Sequence, residues 1–224
     1  MILAIDTTAE FGSIALVTGY ALVEEVPLRV PDGFGHVLFG QIEQLLSRHA
    51  VPLASIECFA AAAGPGSFTG VRVGLTAAKG LAEALGKPMI PVSNLEALAY
   101  YGSLPLRATV LDARRGEAYA AIYNAALEVV QPETVISFRA WLESLPSGGF
   151  EFVAQDFAPF APALAGTRFM DVPIRIAPRA LASAVGHIAA GRLELGFDRA
   201  LEADANYVRR ADAELFWKER GPIA

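Results

Sequence analysis

The chain has 224 residues, a formal net charge of −6, three histidines and one cysteine. Hydrophobic residues make up 54% and mean hydropathy is +0.39, yet no run reaches the roughly 18 unbroken apolar residues of a membrane-spanning helix, so the apolar surplus is expected in a core or against another protein. An acidic chain without a basic stripe is poorly suited to hold a nucleic-acid backbone alone, and the lone Cys58, set in an apolar run, excludes an internal disulfide and reads as a buried thiol in a reducing cytoplasm.

Residues 2–6 are apolar and end on Asp6; with no basic segment before them they are not expected to be a signal peptide. Residues 13–18 are β-rich, Thr18-Gly19 marks a turn, and residues 21–27 resume the extended pattern. Pro31-Asp32-Gly33 breaks the chain. Val37, Leu38, Ile42, Leu45 and Leu46 then recur at helical spacing, with His36 opening that helix and His49 ending it. Residues 56–63 form a continuous apolar run, as expected of a strand covered on both faces. A loop with Gly64, Gly66 and Gly70 opens directly into a helix with the stripe Val71, Leu75, Ala78, Ala82 and Leu85, stopped by Gly86-Lys87-Pro88. Residues 89–92 are a short strand. Ser93 reads as the N-cap of a helix from Asn94 to about Tyr101, with Glu96 placed as in a capping box. The order βββαβαβα implies a mixed sheet with helices on its faces.

The second half repeats the opening. Thr109-Val110-Leu111-Asp112 is again an apolar strand ending on aspartate; a loop with Gly116, a strand at 118–123, a turn at Asn124-Ala125 and a return at 127–130 follow. The unit recurs about a hundred residues on, as a duplicated fold would. Residues 144–179 show no recognisable pattern, residues 179 to about 193 read as an alanine-rich helix containing His187, and the tail reads ANYVRRADAELFWKERG. The expected fold is α/β, two tandem RNase H-like lobes of the actin, hexokinase and heat-shock ATPase kind. Residues 1–103 would form the first lobe and carry the partner-binding helices; residues 104–224 would form a smaller, degenerate second lobe and the tail. In that architecture the aspartate ending each lobe's first strand, here Asp6 and Asp112, faces the cleft between lobes.

Reactive groups are sparse. No H-x-x-x-H or H-E-x-x-H relates His36, His49 and His187, and no cysteine pair exists, so no metal site is expected. Ser67 fails the nucleophile elbow because Pro65 and Thr69 stand where glycines are needed; it reads instead as an N-cap. The loop also fails the phosphate-binding lysine pattern, since Val71-Arg72 follow Gly70. Its glycines read first as the requirement of a tight strand-to-helix turn; weak phosphate binding through Gly64, Gly66, Ser67 and Arg72 at the helix N-terminus is the alternative. Gly70, Gly74, Ala77, Ala78 and Leu81 are small or apolar at three- and four-residue spacing. Glycines one turn apart within a helix mean that another element approaches closely, either the chain's own sheet or a partner. Together with Val71, and with Phe39 on the preceding helix, they form the expected protein–protein interface.

Five stretches carry a resemblance: Ile2-Leu3-Ala4-Ile5-Asp6-Thr7, GPGSFTGVRVG from Gly64 to Gly74, Ala78-Lys79-Gly80-Leu81, Val92-Ser93-Asn94-Leu95-Glu96-Ala97-Leu98-Ala99, and Leu111-Asp112-Ala113-Arg114-Arg115-Gly116-Glu117-Ala118-Tyr119. In this order they resemble the TsaB (YeaZ) family of tRNA threonylcarbamoyladenosine biosynthesis proteins, glycoprotease-like paralogues of the catalytic TsaD proteins; Tyr207-Val208-Arg209 resembles a family tail motif. The resemblance implies a cytoplasmic, non-catalytic partner that binds a TsaD-type subunit through the two lobe-one helices. It would support threonylcarbamoyl transfer to the adenosine next to the tRNA anticodon. The TsaE ATPase would be a further partner, tRNA would be reached only through the complex, and the chain alone would be a homodimer, with no membrane attachment. It implies no cofactor of its own, with weak ATP or ADP binding at the partner interface. The two histidine ligands of a TsaD-type metal site correspond here to Asn94 and Leu98, which removes that site. Departures are Val37 and Leu38 after His36, where the family has serine and an acidic residue, and Asn206 where proline is common. The competing reading is a peptidase-like or nucleotide-hydrolysing enzyme with a cleft near Asp6, Asp112, Arg114 and Glu117, whose carboxylates would hold Mg²⁺ through water.

Overall fold

The structure, a computed structural model, describes residues 1–30 and 33–197. Pro31-Asp32, and the tail with Asn206 and the Tyr207-Val208-Arg209 motif, lie outside the described residues. The first half runs β1 (Ile2–Asp6), β2 (Phe11–Thr18), β3 (Ala21–Arg29), α1 (Leu38–Arg48), β4 (Cys58–Ala62), α2 (Phe68–Leu85), β5 (Met89–Val92) and α3 (Asn94–Ala99). Its sheet has the order β3-β2-β1-β4-β5. β1 lies antiparallel to β2, with Asp6 opposite Ser13, and parallel to β4, with Ile5 opposite Ala61.

β1 and β4 are buried along their whole length because both faces of this sheet are covered. Alternate residues separate cleanly between the two faces. Leu3, Ile5, Ile14 and Leu16 pack with Leu38, Ile42 and Leu45 of α1 and Val71, Leu75, Ala78 and Ala82 of α2. Ile2, Ala4, Ala15 and Val17 pack against Ala182, Val185 and Ala189. Those last residues belong to α5 (Ala182–Glu194), which comes from the far end of the chain. Its small residues let it lie close: a Cβ on Gly186 would stand 2.6 Å from a Val17 methyl.

The second half contains β6 (Leu106–Arg114), β7 (Glu117–Asn124), β8 (Val129–Ser137), α4 (Phe138–Ser144), β9 (Phe150–Ala154) and β10 (Ile174–Ile176). The sheet order β10-β9-β6-β7-β8 repeats that of the first sheet, β6 occupying the place of β1. This is the expected pair of RNase H-like lobes, the second degenerate. Between β9 and β10, where the first lobe has α2, there is only a short turn, Ala161–Ala163. Phe157, Phe160, Leu164 and Phe169 from this segment fill a core with Phe138, Trp141, Phe150 and Phe152.

The covering helices are exchanged. α3 follows the first sheet yet packs on β6, β7 and β9; α5 follows the second sheet yet packs on β1, β2, β4 and β5. The N-terminus of α5 is capped from the first sheet, where Ser13 Oγ accepts from Ala182 N at 2.9 Å and Glu25 accepts from Ser183 N at 2.9 Å. Near its C-terminus, Arg192 donates to the Pro91 carbonyl and pairs with both Glu96 oxygens at 2.8 and 2.6 Å.

Several local expectations are corrected. Glu96 answers Arg192 rather than closing a capping box. The helix after Ser93 ends at Ala99, with Ser93 Oγ accepting from Leu95 N. His36 closes a short turn, Phe34–His36, ahead of α1. Residues 144–179, without pattern in the sequence, hold β9 and β10. No helix among the described residues is long and apolar enough to cross a membrane.

Candidate functional site

Parallel neighbours end on the same side of a sheet, so the loop after β1 meets the glycine loop after β4. They face the hairpin that joins β6 to β7 across a cleft of 360 Å³. Thr8, Glu10, Pro65, Gly66, Ser67 and Asn94 line one side, and Asp112, Arg114, Tyr119 and Gln155 the other.

Asp6 does not line this cleft. It is buried, and its Oδ1 accepts from the N–H and hydroxyl of Thr8 at 2.9 and 2.6 Å. Burial pushes its carboxyl above the usual range, against the pull of the Thr8 hydrogen bonds. Thr8 Oγ1 in turn accepts from Asn94 Nδ2 at 2.6 Å, and Asn94 Oδ1 accepts from Gly64 N at 2.9 Å. Asn94 N donates to the Gly64 carbonyl, Ser67 N to the Thr8 carbonyl, and Thr7 Oγ1 to the Gly70 carbonyl. One hydrogen-bonded chain therefore ties β1, the glycine loop and α3 together. Thr7, Thr8 and the cross-linking use of Asn94 were missed in the sequence; the signal available was an aspartate two residues before a threonine, the local turn in which a carboxylate takes the i+2 N–H.

The glycine loop is shaped by contact with that strand end. A Cβ on Gly66 would stand 2.5 Å from the Thr8 carbonyl oxygen, one on Gly74 2.6 Å from Thr7 Oγ1, and one on Gly70 would collide with the Thr7 carbonyl. Ser67 caps α2 as expected, accepting from Gly70 N at 3.3 Å. Of the suggested phosphate-binding residues, Gly66 and Ser67 reach the cleft. Gly64 is buried, and the N–H groups of Gly64, Ser67 and Gly70 are engaged within the chain. Arg72 lies outside the cleft lining, its guanidinium 3.5 Å over the Phe68 ring.

On the opposite side, Asp112 Oδ1 accepts from Arg114 N at 2.8 Å. Arg114, Arg115 and Gly116 have φ of 66°, 55° and 78°, so two non-glycine residues occupy the left-handed region in this hairpin turn. Glu117 does not line the cleft, so Asp112 alone of the three carboxylates proposed for an enzyme reaches it. Among the described residues, no group of three or more His, Cys, Asp or Glu is placed to hold a metal ion. Asn94 has both amide atoms engaged, and Leu98 is fully buried in the core.

The residues expected to face a partner divide into two sets. Gly70, Val71, Gly74, Ala77 and Ala78 are buried within the chain itself, the two glycines against Thr7. Their spacing answers the chain's own strand, which corrects their assignment to an outer surface. Phe39 is 56% exposed on α1, Phe68 is 44% exposed at the start of α2, and Leu81 is half-buried.

The family model described as "TsaD: tRNA N6-adenosine threonylcarbamoyltransferase" matches residues 26–206. A Bacillus subtilis protein named tRNA threonylcarbamoyladenosine biosynthesis protein TsaB is 36% identical over 149 residues, 64% of this chain and 65% of that protein. Its Escherichia coli namesake is 37% identical over 127 residues, 55% of this chain and 54% of its own length. The chain thus spans between about half and just under two thirds of the length of these two relatives. YeaZ from Pseudomonas aeruginosa superposes with a TM-score of 0.77 at 22% identity, covering 92% of this chain and 98% of that one, a likeness of fold.

Proposed function

Since the chain belongs to the TsaD family of tRNA N6-adenosine threonylcarbamoyltransferases, and to the TsaB (YeaZ) group within it, we propose that it acts in tRNA threonylcarbamoyladenosine biosynthesis as a non-catalytic partner. On this reading it works in the cytoplasm, docks a TsaD-type catalytic subunit and assembles with a TsaE-type ATPase, and tRNA reaches it only through that complex. The observation that carries the proposal is the state of Asn94 and Leu98, which stand where a TsaD-type subunit would carry its two histidine ligands. The first is a hydrogen-bonded cross-link and the second is core. Leucine has no ligand atom, and a lone amide oxygen already held by Gly64 N is a weak ligand that does not replace two imidazoles. The competing enzyme reading needs Asp6, Asp112 and Glu117 on one cleft, where only Asp112 stands.

The docking face would be the outer surface of α1 and α2, with Phe39, Phe68 and Leu81, and a homodimer would use the same face in the partner's absence. Weak ATP or ADP binding belongs at that shared face, because the glycine loop already uses three of its N–H groups. The chain alone is expected to show no threonylcarbamoyl transfer and no ATP hydrolysis; with a TsaD-type subunit it should co-elute and transfer should appear. Phe39→Arg and Gly80→Arg should weaken co-elution without unfolding the chain, since a Cβ on Gly80 meets nothing within 4 Å. Turnover by the chain alone, abolished by Asp112→Asn, would overturn the proposal.

A further inference from the structure

The sequence has no basic stripe, yet the fold gathers four arginines from distant parts of the chain around the mouth of the 360 Å³ cleft. Arg114 lines the cleft, and Arg115 follows it in the β6–β7 hairpin. Arg29 reaches the same mouth through Glu10, a lining residue whose Oε1 lies 3.4 Å from the Arg29 Nε. Arg179 reaches it through Gln155, another lining residue, whose Nε2 donates to the Arg179 carbonyl at 2.9 Å. Phe11, next to Glu10, seats both of these side chains. The Arg29 guanidinium stands 5.2 Å from its ring centroid and that of Arg179 4.5 Å.

Little of this positive charge is spent within the chain. An aromatic ring holds a guanidinium in place without neutralising it or occupying its edge N–H groups, and among the described residues no carboxylate pairs with Arg179. Arg29 on Glu10, and Arg114 on Asp112 at 3.7 Å, are long pairs on arginine side chains 66% and 87% exposed; such pairs contribute little and give way to a stronger anion. Arg114 and Arg115 also hold φ of 66° and 55° in a turn where glycine or asparagine is the ordinary choice. The cleft itself repels an anion, because Glu10 and Asp112 line it and the glycine-loop N–H groups of Gly64, Ser67 and Gly70 are engaged. The arrangement therefore suits an extended anion that lies across the mouth and touches arginines on both sides. The regularly spaced phosphates of a nucleic-acid backbone have that form, and a guanidinium meets phosphate oxygens with paired N–H donors. We propose that this arginine rim is a contact for the phosphate backbone of RNA. The inference rests on the part of the proposed function that brings tRNA to the complex, and adds that the tRNA then lies directly on this chain. Alone, the contact is weak, since the chain as a whole is acidic.

The test is the salt dependence of binding. Titrate the full chain into a fluorescein-labelled, unmodified tRNA transcript and follow anisotropy from about 50 to about 200 mM KCl. The expected result is weak binding whose logarithm falls linearly with the logarithm of salt. Arg114→Gln and Arg179→Gln should each weaken binding several-fold and make that slope shallower by one phosphate contact, about 0.7–0.9. Both side chains are exposed, so both variants retain the fold, which unchanged thermal midpoints check. Arg139→Gln, the same loss of charge on an exposed residue of α4 away from the cleft, should leave the slope as it is. Four results would each overturn the proposal: a wild-type chain that leaves tRNA free at the lowest salt, rim variants with the wild-type slope, a loss with Arg139→Gln as large as theirs, or equal displacement of tRNA by polyglutamate of matched charge, which would mean an acidic protein partner. Co-elution with a TsaD-type subunit judges the function separately. The rim variants should still co-elute, and if the wild-type chain does not, the salt slopes of the chain alone still decide the rim.

Discussion

The segment between β4 and β5 and the one between β9 and β10 join the same pair of parallel strands in two sheets of the same order, yet they cover those sheets by different means. In the first, the eighteen-residue helix α2 lies against the sheet, brought close by Gly70 and Gly74 and packing with modest side chains such as Ala78 and Ala82. In the second, an irregular segment inserts whole aromatic rings: Phe157 and Phe160 meet Phe138 and Phe152 at centroid distances of 4.7 to 6.0 Å. Close packing can thus be reached through backbone approach or through side-chain volume. The first route leaves a regular outer helix surface, with repeating positions that a partner can match. The second leaves loops outside and a β10 whose three residues are all exposed.

The contrast can be broken most severely on the aromatic side. Phe152→Ala removes a fully buried ring that touches those of Phe138, Trp141, Phe150 and Phe157. It should cost about 3–5 kcal/mol in urea denaturation; a loss under about 1 kcal/mol would mean the loop simply collapses into the space. On the helical side, Gly70→Ala should cost about 3 kcal/mol, because the added methyl meets the main-chain carbonyl of Thr7. Gly80→Ala on the same helix meets nothing and should stabilise by up to about 1 kcal/mol, so opposite signs from one substitution separate approach from propensity.

Asn94→Ala should cost about 2 kcal/mol by leaving the buried Gly64 N–H without an acceptor, and should raise hydrogen exchange at the glycine loop before it raises exchange in β6–β9. The smallest effect is a slope. The folded state holds the Asp6 proton to higher pH than the unfolded state does. The stability this proton gives is therefore fully present below the ordinary aspartate range and is lost as pH rises through the raised folded value. Asp6→Asn keeps an acceptor for both Thr8 donors and should flatten that fall above the ordinary aspartate range in urea titrations. Glu96, whose carboxyl burial also pushes upward against the pull of Arg192, would supply a remaining fall of the same sign.

The first lobe was legible because each element carried its own pattern: short apolar or β-rich runs in β1, β2 and β4, a three-to-four-residue stripe in α1 and α2, and a serine ahead of α2 and α3. The second lobe's irregular cover was not, because Phe157, Phe160 and Phe169 follow no period and are ordered only by the cluster they complete. At the cleft, the Gly64-to-Gly70 loop and Asp112 could be placed from sequence. The inward turn of Asp6 could not, since it depends on Thr8 and on Asn94, 86 residues beyond Thr8. Glu96 was misassigned for the same reason: a local capping pattern lost to a guanidinium 96 residues away, whose charge in a buried setting outweighs a backbone N–H.

The exchange of covering helices has a consequence for how the polypeptide is made. As it leaves the ribosome, the first sheet can be completed once β5 has emerged, but the face bearing Ile2, Ala4, Ala15 and Val17 stays bare until residues 182–194 are synthesised. A nascent chain carrying an oily, unfinished surface through half of its translation is a natural client for a chaperone. A stop codon before Ala182 would cripple the first lobe although every residue of its sheet is present.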